Sequence, residues 1–376
     1  MRFDLPTLPA EASALRGEVR AFLQDWAPRW TPEIRARSWM GFDRAFSEAL
    51  GARGWIGMCW PRAYGGHERS FLERNVVLEE LLAAGAPVGA HWIGDRQSGP
   101  LILRLASEEV KRRILPGIAA GTLAFCIGLS EPEAGSDLAA LRSNAERRGQ
   151  GWVLNGRKIW TTFAHKSDHM IALVRTAPAP EGGPRQAGLS QFLVDLTTPG
   201  ITIRPIRDIA GADSFNEVTF DGVELPADAL IGAEGKGWAQ ATSELAFERS
   251  GPDRVLSSFP ALVDAVEALR GTGGAEQTVG RMVARLHALR GMSWSVAGQL
   301  AAGGLPNVEA ALVKDAGNSF EQALPERLRE LFHAEDLPEG LRRLLDMLAA
   351  MAPTFSLRGG TREILRGIIA RDLGLR

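Results

Sequence analysis

The spacing of hydrophobic residues predicts helices over the first third of the chain. The side chains of the first predicted helix that share one stripe are Leu15, Val19, Phe22, Leu23 and Trp26. A second helix is predicted over roughly 71–84. A third is predicted to begin after Ser107, a residue suited to cap a helix N-terminus, and to end near Pro116. The pattern therefore predicts that residues 11–120 are helical.

The pattern changes between about residues 121 and 235. Residues 152–160 place Asn155-Gly156 between two apolar stretches, which predicts a β-hairpin because Asn-Gly favours the type I′ turn. Apolar or alternating stretches follow at 170–174, 191–194, 201–206 and 218–220. Glycine and proline interrupt them throughout. The segment is therefore predicted to be a β domain of short strands, either a sandwich or a barrel.

Helical spacing returns after Gly237. The predicted helices cover about 237–250, 258–270, 276–302, 307–332, 339–351 and 360–373. Helices, then strands, then helices indicate an α+β chain with segregated layers rather than a parallel α/β sheet. We therefore expect an N-terminal all-α domain over 1–120, a middle β domain over 121–235 and a C-terminal helical-bundle domain over 236–376.

The amino-acid composition limits which kinds of protein and which binding partners the sequence is compatible with. The chain is 45% hydrophobic and 23% charged, with a formal net charge of −2, which is ordinary for a soluble globular protein. No polybasic block predicts nucleic acid or an anionic membrane as a partner. The two cysteines are too few for a disulfide framework, and no segment has the features of a signal peptide or a membrane span. We expect a soluble cytoplasmic protein.

Two short segments are candidates for binding chemistry. Residues 129–137, Leu-Ser-Glu-Pro-Glu-Ala-Gly-Ser-Asp, form a polar, turn-rich stretch whose small residues let backbone N–H groups approach a phosphate or the carbonyl edge of a flavin. In residues 156–162, Gly-Arg-Lys-Ile-Trp-Thr-Thr, the tryptophan can cover a flat cofactor while a hydroxyl donates to a ring nitrogen. The alternatives are a surface loop and a core tryptophan beside threonines that favour strands.

Together these two segments, about 20 residues apart, resemble the acyl-CoA dehydrogenase family. Further stretches that match the family are Trp-Pro-Arg-Ala-Tyr-Gly-Gly at 60–66, Phe-Asn-Glu-Val at 215–218, Gly-Ala-Glu-Gly-Lys-Gly-Trp at 232–238 and Gly-Gly-Thr-Arg-Glu-Ile-Leu-Arg at 359–366. The resemblance follows the chain in order and thins between about 255 and 355. It implies an N-terminal helical domain, a middle β domain and a C-terminal four-helix bundle, in agreement with the hydrophobic pattern.

The resemblance also implies a cofactor, FAD, held between the β domain and the bundle. In the middle domain it implies that the backbone of Leu129 and the hydroxyl of Ser130 lie at the flavin ring. Trp160 is expected to cover the flavin, with Thr162 near its reactive edge. Ser136 belongs to the stretch that lines the acyl-CoA and flavin cleft.

The C-terminal part supplies the remaining candidates. Thr361 is expected to approach the FAD pyrophosphate and ribose, with Glu363 in the same motif as a further cofactor-binding residue. Arg249 is a candidate for binding the substrate's CoA phosphates. No metal site is expected, because His165 and His169 lie in a strand region with no third ligand nearby in sequence.

The activity implied by the resemblance is α,β-dehydrogenation of an acyl-CoA thioester. A carboxylate of raised pKa takes the α proton, hydride passes to flavin N5, and an electron-transfer flavoprotein receives the electrons. The glutamate that many family members use as base corresponds here to Gly359, which has no side chain. A subset of the family carries the base at a position that matches Glu248, which shares a helical face with Ala241, Glu244 and Leu245. Alternatively, Glu248 is a surface residue paired with an arginine.

A second departure concerns the adenine half of the cofactor. Homo-oligomeric relatives carry two motifs there that belong to the neighbouring subunit, and neither stands at 270–275 or at 330–336. One explanation is a heteromer in which an unlike subunit completes the FAD site, as in bacterial relatives that degrade steroid side chains. The other is a homodimer that binds FAD through substituted residues. Two further functions stay open, a redox-inactive partner subunit and a flavin oxidase or monooxygenase on the same fold.

Overall fold

The structure, a computed structural model, describes residues 2–242 and 251–375. The chain divides into two compact units. The bundle unit comprises Met1–Phe46, Arg69–Gly89 and Ala246–Arg376, and the sheet unit comprises Ser47–Glu68 and Ala90–Leu245. The division differs from three consecutive domains because the helices that follow residue 89 group with the sheet. The predicted boundaries near residues 120 and 235 stay predictions.

The helices of the first third confirm the predicted helical character of that region. They are α1 (Ala10–Trp26), α2 (Pro32–Arg37), α3 (Arg44–Ala52), α4 (Phe71–Ala83), α5 (Gly89–Ile93), α6 (Gly99–Leu105) and α7 (Glu108–Ala119), with a π-helical turn at Gly94–Ser98. Ser70 caps α4 reciprocally with Glu73, which fixes where this helix begins. Ser107 caps α7 as predicted. However, α7 continues past Pro116 to Ala119, because the Pro116 carbonyl still accepts the N–H of Ala120 at 2.9 Å.

The C-terminal helices pack with α1, α2 and α4 in the bundle unit. They are α9 (Phe259–Ala268), α10 (Glu276–Ala301), α11 (Asn307–Arg329), α12 (Glu339–Phe355) and α13 (Arg362–Asp372). A helical segment at 237–242, α8, precedes them in the chain and belongs to the sheet unit. Apolar side chains on one face of α12, from Leu341 to Phe355, are buried. Among the described residues, no helix is both long enough and apolar enough to cross a membrane.

A charged network ties three helices of the bundle unit together. Glu79 and Glu80 of α4 are almost fully buried and form ion pairs with Arg16 and Arg20 of α1 and with Arg290 of α10. Burial would raise the pKa of Glu79, but the hydrogen bond and charge of Arg290 outweigh it and lower that pKa overall. The Glu79 carboxylate therefore stays ionised, and the network fixes how α1 and α10 pack on α4.

The sheet unit is built on one mixed sheet of eight strands. They are β1 (Phe125–Gly128), β2 (Asn144–Arg148), β3 (Gly151–Thr162), β4 (His169–Arg175), β5 (Leu189–Asp195), β6 (Ile201–Ile206), β7 (Phe215–Leu225) and β8 (Leu230–Ile231). The strand order is β6-β7-β3-β2-β4-β5-β8, and β1 pairs with β4 in parallel. Buried apolar side chains of β1 to β5 and of β7 form its core, and partly buried side chains of β6 pack against it. The middle β domain expected from the sequence is thus confirmed.

The predicted hairpin at Asn155-Gly156 is wrong. Strand β3 runs through both residues, and the two-residue turn lies earlier, at 149–150, where Gly149 has a φ of +59°. Gly156 instead forms a β-bulge against β7, with a φ of +136°. A side chain there would place its Cβ 2.3 Å from the hydroxyl of Ser143. Glycine is needed at 156 for close approach within the sheet, not for a turn.

Candidate functional site

A buried ion pair fixes the first candidate segment to strand β3. The Lys158 side chain is fully buried, and its Nζ lies 2.8 Å from Oε1 of Glu131 and 3.1 Å from the carbonyl oxygen of Leu129. Glu131 also accepts the backbone N–H groups of Arg142 and Ser143, at 2.6 and 2.9 Å. Both ends of the loop 129–143 are therefore held through one carboxylate.

The electrostatics of this pair are set by burial and by the opposite charge. Burial lowers the pKa of Lys158 to about 8, against the attraction of Glu131. Burial would raise the pKa of Glu131, but the charge and hydrogen bond of Lys158 outweigh it, so that this pKa is lowered. Both groups are therefore charged at neutral pH, which makes the contact between Lys158 and the Leu129 carbonyl a charge-assisted hydrogen bond.

Directly after Lys158 the strand leaves its regular pairing. The register of β3 against β7 shifts between Lys158 and Thr161, and the N–H of Ile159 donates to the carbonyl of Ser130 at 2.9 Å. Trp160, inside the shift, has a φ of +58°, and the residue is 56% exposed. The exposed indole contacts Phe215 edge to face, with 6.2 Å between ring centroids.

A second set of hydrogen bonds holds the residues that follow the tryptophan. Nδ2 of Asn216 donates to the carbonyl of Thr161 at 3.0 Å, and Oδ1 of Asn216 lies 2.8 Å from Nδ1 of His165. Since Oδ1 only accepts, Nδ1 of His165 carries the proton. The N–H of Phe163 donates to the carbonyl of Ser214 at 2.7 Å. These bonds fix the backbone on both sides of Thr162, whose side chain is half-buried.

Backbone strain is concentrated at this turn. In the part of the chain that the structure describes, non-glycine residues with positive φ are Ser38, Glu68, Trp160 and Phe163. Two of these four enclose Thr161 and Thr162. Such conformations cost on the order of 1–3 kcal/mol each and persist where the surroundings enforce them, commonly at functional sites. The end of β3 therefore presents an exposed indole and a hydroxyl from a rigid, strained backbone.

The remaining middle-domain candidates lie at or near this loop. Leu129 and Ser130 are half-buried and immediately precede Glu131. Ser136 is exposed, beyond a turn closed by two hydrogen bonds between the backbones of Glu131 and Ala134. The sheet unit thus places Leu129 and Ser130 beside the strand that carries Trp160, through the hydrogen bond from Ile159 to Ser130.

The bundle unit contains the tail candidates. Thr361 occupies the N-cap position of α13 with extended backbone, after Gly359 and Gly360 at φ values of +63° and +100°. Arg362 donates to Ser319 and Gln322 of α11. Glu363 is exposed, and its own backbone N–H and the Thr361 hydroxyl lower the pKa of its carboxyl group. The tail at Thr361 is therefore anchored to α11.

Beneath this tail lies a lysine that the sequence did not identify. Lys314 of α11 is fully buried, and its Nζ donates to the carbonyls of Arg358 and Gly360, the second at 2.6 Å. Lys158 and Glu131 were missed in the same way, although both stand inside the motifs. The rarity of lysine could have drawn attention to these two lysines, because only five of the 43 basic residues are lysines.

Several predicted residues have no structural test. Glu248 and Arg249 lie outside the described residues. The stretch 270–275, where one adenine-half motif was sought, forms an exposed turn between α9 and α10 with Gly271 and Gly274 at positive φ. Within residues 2–242 and 251–375, no three His, Cys, Asp or Glu side chains are grouped so as to hold a metal ion.

A helical bundle unit, a unit built on one mixed sheet and a strained strand end with an exposed tryptophan together define a class of mixed helix-and-sheet proteins. Comparison with family models places the chain in one such class. The N-terminal, middle and C-terminal domains of acyl-CoA dehydrogenase match residues 9–122, 126–223 and 235–374. The chain belongs to the acyl-CoA dehydrogenase family, so the resemblance and the fold expected from it are confirmed. It is accordingly an oxidoreductase of a family that is in general FAD-dependent.

Individual relatives agree with the family models. The acyl-CoA dehydrogenase IpdE1 of Mycobacterium tuberculosis is 34% identical over 346 residues, which cover 88% of each chain. Among solved structures, the Tcur3481-Tcur3483 steroid ACAD is 29% identical with a TM-score of 0.86, covering 99% of this chain and 98% of that one. The ChsE4-ChsE5 complex of Mycobacterium tuberculosis is 29% identical with a TM-score of 0.83, covering all of both chains.

Proposed function

We propose that this chain carries out FAD-dependent α,β-dehydrogenation of an acyl-CoA thioester. The observation that supports this most directly is the end of β3, where two strained residues enclose Thr162 and expose the Trp160 indole. A largely exposed tryptophan held in a left-handed conformation is costly for stability alone. Its cost is explained if the indole covers a flat ring.

The residues of the sheet unit fit a flavin. The indole offers an apolar face of suitable size, and Thr162 and Ser130 offer hydroxyl groups beside it, as a flavin's polar edge requires. When bound, FAD supplies the hydride acceptor for the substrate's β carbon. The chain's own contribution is to hold these groups in fixed positions, so that cofactor and thioester bind without rearrangement of the backbone.

The α proton requires a base, and we assign it to Glu248. Gly359 has no side chain and cannot serve. A carboxylate in this role must be desolvated against the thioester, so that its pKa rises toward neutrality. Apolar residues around Glu248 in sequence, Leu245, Ala246 and Phe247, favour such an environment.

The other assigned residues act in binding. The backbone of Leu129 and the Ser130 hydroxyl bind the flavin ring, and Thr361 with Glu363 binds the cofactor's phosphate and ribose side. Ser136 lines the substrate cleft, and Arg249 binds phosphates of CoA. An electron-transfer flavoprotein is the proposed acceptor of the electrons.

We further propose that an unlike subunit completes the FAD site. Both adenine-half motifs are absent from this chain, and two similar solved structures carry pairs of protein names, Tcur3481-Tcur3483 and ChsE4-ChsE5. One of them is described as a steroid ACAD, which favours a bulky acyl group such as a steroid side chain. The observation that favours a redox-inactive partner instead is Gly359 at the usual base position.

Visible spectra separate these possibilities. The chain is purified alone and co-expressed with a candidate partner, and each preparation is titrated with acyl-CoA esters of varied length and bulk. A yellow protein bleached anaerobically by an acyl-CoA supports dehydrogenation, and colour only in the co-expressed sample supports the heteromer. A colourless protein in both would refute flavin binding. Rapid reoxidation by O₂ with turnover would identify an oxidase.

A substitution tests the base. The Glu248→Gln protein is expected to retain FAD and to lose bleaching by acyl-CoA, since only the proton acceptor is removed. Glu244→Gln is a matched control in the same segment. Unchanged bleaching in Glu248→Gln would remove Glu248 from the mechanism.

A further inference from the structure

Two of the five lysines in this arginine-rich chain share an unusual environment. The side chains of Lys158 and Lys314 are fully buried, whereas those of Lys111 and Lys166 are partly exposed. Burying an ammonium group is expensive unless it is paired and hydrogen-bonded. Both buried lysines donate to main-chain carbonyls, and each does so in a loop to which FAD binding was assigned.

At Lys158 the acceptor is the carbonyl of Leu129, 3.1 Å away. A trans peptide unit directs its C=O and its N–H in opposite directions. Because the Leu129 carbonyl faces the buried ammonium group, the N–H of the same peptide unit, which belongs to Ser130, faces away from it. The ion pair with Glu131 holds the ammonium group in place. Lys158 thereby sets the direction of a backbone donor at the proposed flavin ring.

At Lys314 the same arrangement occurs in the bundle unit. Its ammonium group binds the carbonyls of Arg358 and Gly360. The N–H groups of those two peptide units belong to Gly359 and Thr361, and they face away from the lysine for the same reason. Gly359 and Gly360 have positive φ values in this turn. Glycine adopts such values at little energetic cost because it has no Cβ.

A lysine suits these positions better than the far commoner arginine. Its ammonium is a compact charge with three donors that can converge on carbonyls in a closed space, whereas the guanidinium is a wide planar fork. Burial lowers the pKa of Lys158 only to about 8, so that this ammonium keeps its proton at neutral pH.

We infer that Lys158 and Lys314 are positioning residues for the cofactor, each turning loop carbonyls inward so that main-chain N–H groups face outward to FAD. Lys158 orients the donor of Ser130 toward the ring, and Lys314 orients that of Thr361 toward the phosphates. The inference rests on the proposed function, since it presupposes that these loops bind FAD.

The test compares Lys158→Met and Lys314→Met with Lys111→Met, a lysine ion-paired with Glu108 on the surface. Each protein is prepared in the assembly in which the unaltered chain holds FAD. The measured quantities are the FAD dissociation constant, from flavin fluorescence, and the visible spectrum of the bound flavin at saturating FAD. Loss of a charge-assisted hydrogen bond predicts roughly tenfold or greater weakening of FAD binding for both variants. The flavin bands should shift in Lys158→Met alone, because only that lysine acts at the ring.

Folding is controlled separately, since Lys158→Met leaves Glu131 buried without its cation. The double variant Lys158→Met/Glu131→Gln removes that charge as well. We expect the double variant to fold and to show the same shifted flavin bands as Lys158→Met. Unaltered FAD affinity and bands in the folded lysine variants would overturn the inference and leave the proposed function intact. An unaltered chain that binds no FAD in any assembly would overturn both.

Discussion

The loop at Leu129 and the tail at Thr361 are built on the same device but differ in how much of the family's site they keep. In the sheet unit, Lys158 is paired with Glu131 at 2.8 Å, and the flanking tryptophan and threonines of the motif are all present. In the bundle unit, Lys314 binds the carbonyls of a turn whose usual base position is Gly359. The proposed ring-binding loop is thus held by a local network whose residues are all present, whereas the tail lacks the side chain that the family usually carries at its base position.

The largest expected effect concerns the ion pair of the sheet unit. Glu131→Ala leaves the Lys158 ammonium buried without its counter-charge and frees the N–H groups of Arg142 and Ser143. Removing one partner of a buried pair typically costs about 3–5 kcal/mol of unfolding free energy. Urea denaturation followed by circular dichroism measures it.

The control is an exposed pair in the same unit. Arg147 and Glu234 are 62% and 39% exposed at 3.0 Å. Because such pairs are screened by solvent, Glu234→Ala is expected to change the unfolding free energy by about 0–1 kcal/mol. Equal losses in the two variants would show that the buried pair has no special role in the loop.

The next prediction concerns the bundle unit and the pH dependence of the unfolding free energy. Glu321 of α11 is fully buried and accepts the N–H of Ser258 at 3.2 Å. Burial raises the pKa of its carboxyl group to about 8, with Asp253 acting in the same direction and Arg254 and the N–H groups of Ser257 and Ser258 opposing it. The folded state therefore binds this proton more tightly than the unfolded state does.

By linkage, this carboxyl group's contribution to stability is full below its unfolded pKa, near 4.5, and is lost as pH rises through about 8. Glu321→Gln keeps an acceptor for Ser258 but cannot ionise. We expect the variant's unfolding free energy to fall less between pH 5 and 8 than that of the unaltered protein, by on the order of 1.4 kcal/mol per unit of pKa shift. Parallel pH profiles from urea denaturation would contradict a raised pKa.

A smaller effect on stability is expected at Gly317, where α11 lies close to the backbone of Arg254. A Cβ on Gly317 would lie 2.0 Å from the carbonyl oxygen of Arg254, so Gly317→Ala must displace one of the two segments. Overpacking of this kind typically costs about 1–3 kcal/mol. In contrast, Gly280 in α10 has no atom within 4 Å of such a Cβ, and Gly280→Ala is expected to stabilise by about 0.4–1 kcal/mol. Thermal unfolding of the two variants should shift in opposite directions.

The sequence predicted the elements better than the contacts between them. Periodicity located α4, α7 and the C-terminal helices to within a few residues at most ends, because each buries one stripe of apolar side chains. The hairpin at Asn155-Gly156 failed since a local turn preference was outweighed by strand pairing on both sides of β3. Strand pairing with distant segments therefore determined the structure here, and the local turn preference did not.

The candidate site shows the same limit. The motifs identified Trp160 and Ser130, but nothing local indicates that Lys158 pairs with a residue 27 positions earlier, or that Lys314 binds carbonyls more than 40 positions later. Such contacts depend on how the strands and helices pack. The left-handed backbone of Trp160 was likewise unpredictable, because tryptophan does not favour it.

The smallest effect separates strain from side-chain contact at that residue. Trp160→Asn and Trp160→Ala both lose the contact with Phe215 and the exposed indole, but asparagine tolerates a φ of +58° better than alanine. We therefore expect the asparagine variant to be more stable than the alanine variant by about 1 kcal/mol, which urea denaturation can measure. Both should bind FAD more weakly than the unaltered protein, since neither supplies an aromatic face. If alanine is as stable as asparagine, the backbone strain is not real and cannot support a cofactor role. If the two differ as expected while FAD affinity is unaffected, the strain exists but serves something other than the flavin.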